Sequence, residues 1–214
     1  MIAENLLVMV YCRMVQRVNV GAIQEIEKYR QAVSKGQKIA NIDHSIKAAY
    51  GDLCRTIHGF SRHPRRAEIY REWFLIVKDF IDKVQAVKTK KDFDDLHKLY
   101  SDKLIAIDGI LTYGQTQKWL NMALKDLFAL EYEKNNSPVW LEYAHLPIDN
   151  YILVGLAKEY GEYPQLLTAW SRIIDYDRYM TLQEFWRSKT ATDYTTLSPL
   201  EAEFVFWGKY REAV

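Results

Sequence analysis

A chain of 214 residues with a formal net charge of +1 has room for one substantial domain, or two small lobes sharing a core. The near-zero charge gives no global argument for a nucleic-acid partner, which strongly basic domains announce. Only two cysteines, Cys12 and Cys54, exclude a four-cysteine iron–sulfur cluster or zinc ribbon built within the chain, and they suit a reducing compartment.

The N-terminal run "MIAENLLVMVYCRMVQRVNV" is apolar but broken by Arg13 and Arg17, with no small-residue cleavage site behind it. It reads as neither a leader nor a membrane span, so no membrane contact and a cytoplasmic location are expected. Next, "GAIQEIEKYRQAV" sets Ile23, Ile26, Tyr29, Arg30 and Val33 along one side of a helix. Cys54, His58 and His63 are spaced four and five apart, but no fourth ligand is nearby and Cys54 reads as a small buried hydrophobe. No metal and no other cofactor is expected. Arg62, Arg65 and Arg66, then Lys88, Lys90 and Lys91, read as solvated faces.

"HPRRAEIYREWFLIVKDFIDKV" opens with a proline at a helix-start position and carries the stripe Ile69, Trp73, Ile76, Val77, Phe80. "KKDFDDLHKLYSDKLIAI" repeats the pattern with Phe93, Leu96, Leu99, Tyr100 and Leu104. There Asp92, Asp94 and Asp95 open a helix, where negative charge is favourable. "ILTYGQTQKWLNMALKDLFAL" (110–130) is a turn and an apolar helix with Lys118 near its start. Residues 131–150 form the least regular stretch, and "HLPIDNYIL" follows, with Asp149 placed to cap a helix. Two capping boxes, Thr181 with Glu184 and Ser198 with Glu201, open the last predicted helices. Period-2 alternation never runs beyond four or five residues. The expected fold is all-α, a single compact two-lobed domain over 1–214 with about nine or ten helices.

Six tryptophans and fifteen tyrosines supply either a thick core or a pocket wall for flat ligands. Neither a Gly-x-Ser-x-Gly turn nor a Gly-x4-Gly-Lys phosphate loop is present.

"QKWLN" followed by "LPIDNYIL" resembles the helix-hairpin-helix DNA glycosylases, in which a glycine-containing hairpin leads to a Lys-x-x-Asn or Lys-x-x-Asp helix start and later to Pro-x-Asp before another helix. The matching residues are Gly114, Lys118, Asn121, Pro147 and Asp149, over roughly 105–155. The spacing of Lys118 and Asp149, with a second lysine at Lys125, is most similar to archaeal-type 8-oxoguanine glycosylases and bacterial proteins of 8-oxoguanine-glycosylase-like fold. The chain departs at the hairpin, where Thr112-Tyr113-Gly114 replaces Gly-x-Gly in a loop longer by about two residues.

The resemblance implies a modified helix-hairpin-helix at 105–130, with 131–150 as the connector to a catalytic aspartate. It implies a DNA N-glycosylase with β-lyase activity on double-stranded DNA carrying a modified base, an oxidised purine such as 8-oxoguanine or a hypermodified phage base. Lys118 would be the amine nucleophile, its pKa lowered by burial and the helix dipole, and Asp149 the electrostatic stabiliser. Backbone amides at Gly114, Gln115, Thr116 and Gln117 would hold phosphate, and Trp119, Pro147 and Trp207 would line a base pocket. Two other readings remain: a catalytically inactive protein of that fold that binds DNA or protein, and an unrelated helical interaction module. In the last, Lys118 and Asp149 would not face one cleft.

Overall fold

The structure, a computed structural model, describes residues 20–34, 41–132, 138–166 and 168–211. The reading of the N-terminal run as neither leader nor membrane span, and Cys12 with it, falls on 1–19, outside the described residues. Among those described, no helix is long and apolar enough to cross a membrane.

Every regular element among the described residues is helical, and none is a strand. In chain order the helices are α1 (20–34), α2 (Ile42–Leu53), α3 (Arg66–Val84), α4 (Lys90–Ala106), α5 (Tyr113–Glu131), α6 (Asn150–Tyr160), α7 (Tyr176–Asp193) and α8 (Pro199–Tyr210). Short 3-10 turns cover Cys54–Thr56, Phe60–Arg62, Val139–Tyr143 and Trp170–Arg172.

Caps explain most of the boundaries. Thr89 and Asp92 form a capping box at α4, Thr112 and Gln115 at α5, and Ser198 and Glu201 at α8, where Pro199 fills the first turn. The expected start at Thr181 is corrected. α7 already begins at Tyr176, capped by Asp175, and the Thr181 hydroxyl donates back to the Asp177 carbonyl at 3.0 Å in mid-helix. Merging those segments leaves eight α-helices among the described residues.

Two apolar clusters share the central helix. The larger gathers α2, α3, α4 and α5 around Trp73, Trp119, Phe80 and Phe93. The smaller joins α6, α7 and α8 with Leu146, Ile148, Trp170 and Ile173. Every residue of α5 from Gly114 to Ala129 is buried, which explains why that helix is apolar nearly all round. The buried stripes shift slightly from those expected. In α3, Ile81 and Val84 join the core; in α4, His97 and Ser101 are buried while Leu99 faces solvent; in α1, Ala22 takes the place of Ile23.

Two glycines permit close approaches. A Cβ on Gly114 would lie 1.8 Å from the Trp170 carbonyl oxygen, and one on Gly155 would lie 2.5 Å from the Phe206 ring, where α6 meets α8. The left-handed glycine in the turn between α4 and α5 is Gly109 (φ 64°), whose N–H donates to the Ile105 carbonyl.

Candidate active site

Lys118 is the sixth residue of α5, so it lies beyond the first turn, where the helix dipole falls off. What singles it out is its partner. Its Nζ lies 2.8 Å from Asp149 Oδ2, with the two side chains only 7% and 16% exposed. The other oxygen of Asp149 accepts the Ile152 N–H at 3.0 Å and so caps α6. One carboxylate thus ends a helix and holds an amine 31 residues away in sequence.

Asp149 is aimed by the segment before it. The Gln183 side chain accepts from the Leu146 N–H at 2.8 Å and donates to the Leu146 carbonyl at 2.9 Å. Gln117 does the same for Ile148, accepting from its N–H at 3.1 Å and donating to its carbonyl at 3.0 Å. Two side-chain amides therefore pair the backbone as neighbouring strands would, satisfying groups buried from water. Pro147 lies between them and has no N–H to satisfy.

Behind this segment is a sealed polar network. Tyr179 donates to His145 Nδ1 at 2.7 Å and accepts from Asn121 at 3.0 Å. His145 Nε2 donates to Asp94 at 2.8 Å, and Arg187 donates to both oxygens of Asp94, at 2.7 and 3.2 Å. Burial pushes the His145 pKa down to about 4 against the pull of Asp94, so the imidazole is neutral at pH 7. Burial alone would raise Asp94, but the hydrogen bonds from His145 and Arg187 outweigh it and hold the carboxyl well below the usual range. The expectation that Asp94 merely helps open α4 is thereby extended, since it ties α4 to α7.

On the adjoining face of α5, Lys118, Met122, Lys125 and Asp126 border a cavity of about 750 Å³, within the range of small-molecule sites. Lys125 is fully buried, with Nζ at 2.8 and 2.6 Å from the two oxygens of Glu203 on α8. It also sits 4.4 Å from the Tyr29 ring centroid, 4.7 Å from Phe204 and 5.0 Å from Trp207. Burial raises the Glu203 pKa, and Lys125 opposes the shift. Asp126 accepts from the Tyr29 hydroxyl at 2.6 Å; burial pushes its pKa up to about 7 despite that bond. Tyr151, Trp170 and Trp207 complete an aromatic part of the wall.

Of the residues expected in the site, Lys118, Asp149 and Trp207 meet at this cavity. The others lie elsewhere. Gly114, Gln115, Thr116 and Gln117 are all buried, Gly114 against Trp170, and so do not face the cavity or solvent where phosphate would lie. The Gly114 N–H donates to the Ile173 carbonyl at 3.1 Å, Gln115 donates to the Thr56 carbonyl, and Thr116 donates to the Tyr113 carbonyl. Trp119 is core, its indole N–H donating to the Ile46 carbonyl at 3.0 Å, and Pro147 is buried in the segment before Asp149.

The cavity residues that sequence reasoning missed are Tyr29, Lys47, Asp52, Arg55, Lys125, Asp126 and Glu203. Lys118, Met122 and Lys125 do recur at helical spacing, which was the available signal for one wall. Trp207 was the one expectation that brought α8 to it, and nothing in the sequence ties α1 or α2 to it. No family model, curated protein or solved structure matches the chain.

Proposed function

We propose that the chain is a DNA N-glycosylase with lyase activity, acting on double-stranded DNA that carries a modified base in a cytoplasmic setting. The observation that carries this reading is the Lys118–Asp149 contact of 2.8 Å at the wall of a 750 Å³ cavity.

The chemistry follows from the pair. Lys118 Nζ donates to Asp149, and its nitrogen can attack only as the free amine, so a proton must leave it first. Asp149 lies within transfer distance of that proton. The free amine then bonds to the sugar carbon bearing the base as the carbon–nitrogen bond to the base breaks. The bonding pair departs with the base, which takes up the proton that Asp149 received from Lys118, so that Asp149 is a carboxylate again. Positive charge developing on the sugar is stabilised by the nearby carboxylate. Opening of the sugar ring leaves a Schiff base between Lys118 and the sugar, and loss of a proton from the adjacent carbon expels the 3′ phosphate. The aromatic wall of Tyr29, Tyr151, Trp170 and Trp207 suits a flat base taken out of the stack. An oxidised purine or a bulkier modified base is the substrate class.

Borohydride trapping over a panel of duplexes, including heavily modified phage DNA, tests the reading. A covalent adduct that disappears in Lys118→Ala is expected. Absence of both adduct and base release on every duplex would overturn the catalytic reading and leave a binding module of the same fold.

A further inference from the structure

With Gly114 to Gln117 buried, a DNA ligand would need its phosphates held elsewhere, and the cavity mouth offers the groups for it. Both lysines deeper in the site are committed to carboxylates. Lys118 is paired with Asp149, and Lys125 with Glu203. Asp126 is bonded to Tyr29. The mouth differs. Lys47 and Arg55, both solvent-exposed, line the same cavity from α2 and the 3-10 turn that extends it. Neither makes an ion pair with a carboxylate among the described residues. Lys47 Nζ has only a distant ring face, 6.0 Å from the Phe74 centroid. Asp52, the one exposed acid between them, makes no ion pair either, so the mouth keeps a net positive charge. His44, one turn before Lys47, is committed to the Val33 carbonyl at 3.0 Å and ties α2 to α1.

From this juxtaposition we infer that Lys47 and Arg55 form a phosphate subsite for the DNA strand whose base enters the cavity. The inference rests on the glycosylase reading and deepens it by naming the groups that hold the backbone. The two residues are eight positions apart, about 12 Å along the helix axis, and each has a long flexible arm. They can therefore take phosphates on either side of one displaced nucleotide. Unpaired cations at the edge of a low-dielectric cleft focus the field on an incoming polyanion, whereas paired ones deeper in the site do not compete for it. Such contacts position the strand and carry no sequence information.

Fluorescence anisotropy with a labelled duplex carrying a stable abasic-site analogue, titrated with sodium chloride, is the test. Each phosphate contact contributes a slope of about 0.9 to the log–log dependence of affinity on salt. Lys47→Ala and Arg55→Ala are each expected to lower the slope by about 0.9, and the double variant by nearly 2. Lys47→Arg and Arg55→Lys are expected to keep it. An unchanged slope in the double variant, with thermal unfolding intact, overturns the subsite. Displacement of the duplex by inorganic phosphate at constant ionic strength, again with an unchanged slope, would assign the mouth to a small anion and overturn it as well. The two levels separate cleanly. A trapped adduct with unchanged slope removes the subsite and keeps the enzyme; a reduced slope with no adduct on any duplex keeps the subsite and removes the enzyme.

Discussion

On one face of α5, Lys118 and Lys125 meet Asp149 and Glu203 beside a cavity; on the adjoining face, Gln117 and Asn121 meet Tyr179 and the backbone of Leu146 and Ile148 out of reach of solvent, with Gln183 bonded to the same backbone. The cavity side keeps amines, carboxylates and a half-titrating acid next to open space. The sealed side keeps its histidines neutral and spends its donors and acceptors on holding a segment still. The first region has the groups that could act on a ligand. The second has no ligand to act on, yet it sets the approach to Asp149. A polar interior can thus be divided by one helix into a part that is available and a part that positions it.

Substitutions can break that comparison. The largest effect is expected at the cavity: Asp149→Asn should lower single-turnover cleavage on the order of a hundred-fold or more. The fold should survive in circular dichroism, because Asn still caps α6. Full turnover in that variant would remove Asp149 from the mechanism. Next comes the buried pair. Lys125→Met leaves Glu203 uncompensated and should cost about 3–5 kcal/mol in urea unfolding, whereas Lys125→Met combined with Glu203→Leu should recover much of it. Equal losses in the single and double variants would mean that Lys125 contributes through its aromatic neighbours alone.

The sealed side should give a smaller loss with a functional consequence. Gln183→Leu strands the Leu146 N–H and leaves its carbonyl only the 3.4 Å bond from Asn121, and is expected to cost about 1–3 kcal/mol. It should also slow cleavage without weakening DNA binding, since Asp149 loses its aim while the cavity mouth is untouched. If binding and cleavage fell together, the two regions would not be separable as described.

The subtlest contrast is with pH. Asp126 has a raised folded-state pKa, about 7, so its contribution to stability is complete below the ordinary carboxyl range and fades as pH rises through 7. His145 has a lowered one, about 4, so its contribution is complete above the ordinary imidazole value and is lost as pH falls through 4. Melting curves across pH should therefore show Asp126→Asn flattening the decline towards neutral pH, and His145→Gln flattening the decline on the acid side. Both variants flattening the same limb would contradict the assignment.

Much of the fold was legible because its signals are local. The stripes of α3 and α4, the acidic start of α4, and the caps at Ser198 and Asp149 all depend on neighbours within a turn or two. Thr181 misled because a threonine three residues before a glutamate also occurs inside a helix, where its hydroxyl can bond back to the preceding turn. Gly114 misled for a different reason. A glycine before a helix start suggests a turn, but this one is inside α5, and its missing Cβ makes room for Trp170, far along the chain. His97, Gln117 and Gln183 could not be read as buried, since polar side chains enter a core only when distant partners satisfy them.

The sequence by itself determined the helices, most of their ends, and the placement of an amine early in α5 and a carboxylate at the start of α6, because periodicity and capping are settled within a few residues. Only the tertiary structure decided that those two groups touch, that α1, α2 and α8 close a cavity around them, and that Lys125 finds Glu203 78 positions away. The physical reason is that the burial of a charge is tolerated or forbidden by its partners, and those partners are set by how helices pack rather than by their order along the chain.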